Sequence, residues 1–248
     1  MPRLVPFRPA AACALALVFV FSTAAAIAKG PVVNLRVVGK GGKVLAEEGL
    51  GAATTSIKTS PKATCLGKGT GGSGRSVKVK GTTALGVLAR AAKSTAALKP
   101  LSVTDHYISE FGMGLCGIGK SKATSKLSWY LKVNHKDPER GGEQVKVHAG
   151  DEVLWALAPY PYPDELALSA PAEAVAGVPF EARVFAYADD GKRKPAAGVT
   201  VTGAALPTDA EGRATVVLTE PTKLIARAGK DIPSNQVAVC IGGTCPGG

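Results

Sequence analysis

The sequence predicts an α+β domain followed by an all-β domain. Three observations predict it: a lone amphipathic helix set among alternating strands, a run of prolines over residues 159–163, and a change of charge across that run. Residues 29–163 hold 20 basic and 9 acidic side chains, whereas residues 164–248 hold 8 and 10. A basic unit therefore precedes a slightly acidic one, and alternating prolines, which forbid helix, stiffen the connection between them.

The first 28 residues read as a secretory signal peptide: Arg3 and Arg8, an apolar run from Ala10 to Phe21, then small residues ending Ala26-Ile27-Ala28. The run falls short of the roughly 20 residues of a membrane span. No other segment is long enough to span, so the expected location is secreted or extracellular, with cell-surface association. Cys13 leaves with the signal, and Cys65, Cys116, Cys240 and Cys245 remain. An even number of cysteines in an exported chain suits disulfides, and no C-x-x-C pair suggests metal. Of the three pairings, Cys65 with Cys116 and Cys240 with Cys245 keep each bond inside one expected domain.

Those domains are 30–160 and 164–241, with a short tail at 242–248. In the first, Val33, Leu35 and Val37 alternate with Asn34 and Arg36, and after Gly39-Lys40-Gly41-Gly42 a second apolar stretch begins at Val44. The pattern is an opening hairpin. The helix follows over Thr83 to Lys93: a threonine caps it, Leu85, Leu88, Ala89 and Ala92 recur at helical spacing, and Arg90 and Lys93 sit near its C-terminus. Strands are expected at Ser102 to Ile108, Ser128 to Asn134, Gln144 to His148 and Glu152 to Ala158. The last is apolar on both faces, as a central strand must be. A hairpin, one helix and further strands make a β-grasp-like arrangement, with the helix on one face of a mixed sheet. In the second domain, short strands separated by Gly- and Asp-rich turns suit a small β-sandwich.

Several stretches resemble a family. These are Val33 to Val38, Thr83-Ala84-Leu85-Gly86-Val87-Leu88, the run from Phe111 to Gly119, and two more specific pieces, Trp129-Tyr130-Leu131-Lys132-Val133-Asn134 and Gly150-Asp151-Glu152-Val153-Leu154-Trp155. Together they are similar to secreted bacterial domains of unknown function that resemble the transcobalamin C-terminal domain, a β-grasp fold. The second domain resembles bacterial immunoglobulin-like or prealbumin-like sandwiches. The resemblance implies a small-molecule carrier for a corrinoid or other flat ligand, although the helical domain that completes such a site in transcobalamin is absent.

Chemistry is sparsely signalled. The stretch Gly69-Thr70-Gly71-Gly72-Ser73-Gly74-Arg75-Ser76 has phosphate-loop spacing, but polar residues precede it, an alternating strand follows it, and Arg75 replaces the lysine. It reads as a plain loop. His106, His135 and His148 lie in no catalytic motif, so no catalytic residue and no enzyme is expected. Asp189, Asp190, Asp209 and Glu211 adjoin turn glycines and are read as turn formers, so no metal and no cofactor is expected. Trp129 and Trp155 read as core. Tyr130, Lys132 and Asn134 point to the other face, and Phe111 lies in a glycine-flanked loop. Phe111, Tyr130 and Asn134 are the expected ligand contacts, with an exposed edge or contact with the second domain as the alternative.

The basic residues cluster in two loops: Lys58, Lys62, Lys68, Arg75, Lys78 and Lys80 before the helix, and Lys120, Lys122 and Lys126 before the Trp129 strand. One sign of charge on two loops suits an unknown extracellular ligand of polyanionic type, such as an anionic cell-wall polymer; a merely solvated surface is the alternative. Aromatics are too few there for specific nucleic-acid recognition.

Overall fold

Val33, Leu35 and Val37 lie on one side of β1 (Val32–Val38) and enter the main core. Asn34 and Arg36 lie on the other, and that alternation decides where the rest of the chain packs. The computed structural model describes residues 32–51 and 53–247; the signal-peptide reading at 1–28 lies outside the described residues.

After β1 come β2 (Val44–Gly51), β3 (Thr55–Lys58), β4 (Ser76–Val79), α1 (Ala84–Ser94), β5 (Leu101–Thr104), β6 (Gly114–Ile118), β7 (Ser121–Lys122), β8 (Ser128–Val133) and β9 (Glu152–Ala158). The principal sheet has the order β2-β1-β9-β8; β1 and β9 run parallel, and the outer pairings are antiparallel. Strand β9 is central, in keeping with its two apolar faces. Thr83 caps α1 by accepting a hydrogen bond from the Gly86 amide at 3.2 Å, which contributes about 1 kcal/mol. Leu85, Val87 and Leu88 are buried with Val153, Trp155 and Leu131 from the sheet.

The second unit contains β10 (Glu165–Ser169), β11 (Glu173–Ala174), β12 (Phe180–Tyr187), β13 (Arg193–Pro195), β14 (Thr200–Val201), β15 (Arg213–Val216), β16 (Thr222–Leu224), β17 (Ala226–Arg227) and β18 (Val237–Ile241). Strand β12 pairs with β10, β13 and β15, while β18 lies between β11 and β16. These small sheets enclose a separate core that includes Leu166, Val184, Val216, Leu224 and Val239.

The predicted α+β, β-grasp-like class is overturned. Eighteen strands stand against one α-helix among the described residues, and they divide into six small sheets. The chain is all-β in character. The physical reason lies in the basic, glycine-rich segments. Strands β3 and β4 pair only with each other, and β5, β6 and β7 form their own sheet. Two shorter expectations also change. The strand from Ser102 stops at Thr104, because residues 105–112 turn back through amide bonds from Phe111 and Gly112 to the Tyr107 carbonyl. Residues 144–148 form no strand; Val145 and Val147 are buried, but their backbone bonds go to Ala84 and Thr82 beside the helix start.

Two disulfides are present among the described residues, Cys65 with Cys116 and Cys240 with Cys245. No helix among the described residues is long and apolar enough to cross a membrane.

Candidate functional site

The glycine-rich stretch is built for close approach, which explains its composition without a nucleotide. A side chain at Gly71 would meet the Pro61 carbonyl, and one at Gly72 would meet Thr59. Asp105 pins the loop by accepting from the Ser73 amide at 2.6 Å and from its Oγ at 2.5 Å. Burial would raise the Asp105 carboxyl, but the Ser73 bonds outweigh it and hold it below its ordinary value. The loop then enters strand β4, whereas a phosphate loop would enter a helix.

Around this loop and the Cys65–Cys116 disulfide lies a groove of about 1170 Å³. Its lining brings together Lys58, Lys62 and Lys68 from the first basic loop with Lys122 from the second, and it includes no carboxylate. All four lysines are exposed. Hydroxyls of Ser60, Thr64, Ser102 and Thr124 lie among them. Arg75, Lys78, Lys80, Lys120 and Lys126 are exposed but are not part of the lining. The disulfide holds the two loops side by side: the Cys65 amide lies 3.3 Å from Cys116 Sγ.

The three expected ligand contacts do not share a surface. Tyr130 is only 3% exposed. Its ring stacks on Tyr162 at 3.8 Å, and its hydroxyl donates to Asp189 at 2.6 Å. Burial, then the Asp189 bond, push the Tyr130 hydroxyl pKa far up. This corrects its reading as a free contact residue. The second unit covers that part of the sheet, because Val38, Tyr130, Leu154 and Ala156 present an apolar face on which Ile232 and Tyr162 pack. Lys132 shares this fate. Its Nζ donates to the carbonyls of Tyr187 and Ala188, and burial lowers its pKa despite the nearby Glu165 and Asp189. Asn134 is exposed but committed: it donates to Asp151 and accepts from the Glu152 amide, each at 2.9 Å. Phe111 is 75% exposed at a hairpin tip, its ring edge-on to Tyr107.

Trp129 and Trp155 pack with the main core as expected. They also line a cavity of about 360 Å³ with Tyr130 and Tyr162, and neither indole N–H has a hydrogen-bond partner among the described residues.

Contact with the second domain, the alternative for Tyr130, is what the structure shows; the charged cluster at that junction gave no signal in the sequence. Arg36 donates to the carbonyls of Leu166 and Pro233 and to the Glu165 carboxylate. Glu165 also meets His135 Nδ1 at 3.1 Å, and the His135 ring stacks on Tyr187 at 3.8 Å. His135 thus faces carboxylates, with no serine or cysteine among its hydrogen-bond partners. Burial alone would raise the Glu165 carboxyl; the His135 bond and the Arg36 charge outweigh it and leave the pKa lowered. The four turn acids are engaged with neighbouring side chains: Asp189 with Tyr130, Asp190 with Lys192, and Asp209 and Glu211 with Arg213. Among the described residues, no group of three or more His, Cys, Asp or Glu side chains is placed to hold a metal ion.

Compared with protein-family models, with curated proteins and with solved structures, the chain matches none.

Proposed function

We propose that this is an exported binding protein, not an enzyme, and that the groove beside the Cys65–Cys116 disulfide takes an anionic polymer at or near the cell surface. One observation carries the reading: two loops far apart in sequence place Lys58, Lys62, Lys68 and Lys122 around one groove with no carboxylate in its lining. Like charges so gathered repel one another, and a polyanion relieves that repulsion while releasing its own counterions. Two disulfides suit an oxidising milieu. Titration with heparin at low and high salt tests the reading. Binding should fall steeply with added salt and should be lost when Lys62 and Lys122 are both changed to Glu. Heparin binding that ignores salt, or survives the double reversal, rejects it.

A second reading, a carrier for a flat small molecule, is favoured by the cavity that Trp129, Tyr130, Trp155 and Tyr162 line. The aromatic rings that line it offer stacking surface to a flat ring system. Trp129 and Trp155 are the only tryptophans in the chain, so intrinsic fluorescence reports directly on the site. A saturable change on adding lumichrome supports the carrier reading, and an unchanged spectrum removes it.

A further inference from the structure

We propose that the side chains of Lys132 and Asp189 join in an amide bond, which the chain forms by itself once folded and which ties the first unit to the second. This is separate from the lysine-lined groove and does not depend on how that groove is read.

The sheet face that carries Tyr130 and Lys132 meets the turn after β12, where Asp189 lies. Two contacts hold that turn in place: the Asp137 amide donates to the Asp189 carbonyl at 2.9 Å, and Lys136 forms a backbone bridge with Asp190. The Lys132 side chain is 1% exposed, and its Nζ donates to the carbonyls of Tyr187 at 2.9 Å and Ala188 at 3.0 Å. Asp189 Oδ1 lies 3.8 Å from that Nζ and accepts from the Tyr130 hydroxyl at 2.6 Å. Glu165 Oε2 is closed to solvent, has no hydrogen-bond partner among the described residues, and lies 4.0 Å from the same Nζ.

An amine, an acid, a base and a hydrogen-bond donor thus meet at one point. Exposed lysine–carboxylate pairs stay ionic because water keeps both partners charged. Here burial lowers the Lys132 pKa even against Glu165 and Asp189. A proton passed from the ammonium to the Asp189 carboxylate yields a neutral amine and a neutral acid. The amine has two N–H groups and one lone pair; the two backbone carbonyls take the N–H groups, and the lone pair is left for Asp189. Nζ then bonds to Asp189 Cγ while the Tyr130 hydroxyl steadies the charge that develops on Oδ1. Glu165 Oε2 accepts a proton from Nζ and returns it to the departing hydroxyl, which leaves as water. The His135 bond and the Arg36 charge outweigh burial and keep Glu165 ionised for this step. Asp189 is half-exposed, so the water has an exit. No oxidant or co-reactant is needed, and each group acts once, so the chain remains a binding protein. The fold holds the reactants together, and the amide leaves no ammonium to bury.

Mass spectrometry of the full chain, reduced, denatured and digested with trypsin, tests this. Trypsin does not cut after an acylated lysine. Residues 127–136 should therefore stay in one piece, joined to residues 184–192 and lighter than the sum of the two by one water. Asp189→Ala changes a half-exposed side chain, keeps Lys132 and Glu165, and should give the pieces unlinked and cut after Lys132. A wild-type chain that releases 127–132 and 184–192 unlinked overturns the proposal, as does a link that persists in Asp189→Ala; if that variant fails to fold, the wild-type digest decides alone. Glu165→Gln should lack the link as well, so the stability of Glu165 variants is referred to Asp189→Ala and not to the linked chain.

Discussion

Arg36 on β1 and Glu165 at the start of β10 form a buried ion pair across the junction of the two units, 129 residues apart in sequence. Each is a charged side chain placed where an apolar one would be expected, and each is tolerated because the other is there. Two charges taken out of water are costly, and their mutual attraction roughly offsets that cost only while both remain. Glu165→Gln should therefore destabilise the chain by about 3–5 kcal/mol, because the Arg36 charge stays buried with its main partner gone. Replacing both, as Arg36→Met with Glu165→Leu, should come out near neutral or more stable. Chemical denaturation of Arg36→Met, Glu165→Gln and the double variant measures this; a double variant as weak as the worse single one would show that the pair adds net stability.

The same junction should loosen in acid. The folded-state pKa of Glu165 lies below its ordinary value of 4.5, so its contribution is fully present above the ordinary carboxylate range and is lost as pH falls through the folded value. Glu47 and Glu143 have the opposite sign, since burial raises both above the same ordinary value. Each favours the folded state as pH falls through its raised pKa. Stability should thus rise slightly as pH falls toward about 5, as Glu47 and Glu143 take up protons, and then drop as Glu165 is protonated. In the Arg36→Met, Glu165→Leu double variant the drop below pH 4.5 should be shallower, as denaturation midpoints at pH 7, 5 and 3 would show. An identical acid limb in both proteins would place the sensitivity elsewhere.

The helix start offers a more local check. Thr83 Oγ1 accepts from the Gly86 amide at 3.2 Å and donates to the Lys80 carbonyl at 2.7 Å. Thr83→Ala should cost about 1 kcal/mol, and Thr83→Ser should recover most of it by keeping the oxygen. Thermal unfolding of the pair tests this, and equal losses in both would assign the role of Thr83 to its methyl group.

What the sequence makes legible here is what local chemistry determines. The first hairpin, the helix with its threonine cap and the central strand with two apolar faces each follow from period and capping alone. The cysteine pairs follow because each closes within one expected unit. The class fails because the periodicity of Val145 and Val147 reports burial and not ladder pairing, and because β3 and β4 alternate like sheet strands yet find only each other. The junction is illegible for a related reason. Arg36 alternates with Val37 as a solvent-facing residue would, and Glu165 follows a proline turn where an acid is ordinary. Only the fold reveals that these two charges face one another. Tyr130 and Asn134 show the same limit, since alternation assigns them to a face but cannot name what covers it.

The Cys65–Cys116 bond has a structural and a functional consequence that can be separated. It closes a loop over a sequence separation of 51, which on the chain-entropy account contributes about 4 kcal/mol. It also ties the first basic loop to β6, one turn before Lys122 on β7. Replacing both cysteines with serine should lower stability by up to that amount and, at a temperature where the variant remains folded, weaken heparin binding, because Lys62 and Lys68 are no longer held opposite Lys122. Removing Cys240 and Cys245 instead opens no large loop: the bond spans only 5 residues in sequence, and neither cysteine lines the groove. That variant should bind heparin like the wild type. Heparin affinity that stays at the wild-type level in both variants would mean that the polymer reads the overall charge of the chain, which neither change alters, and the groove would lose its claim to be the site.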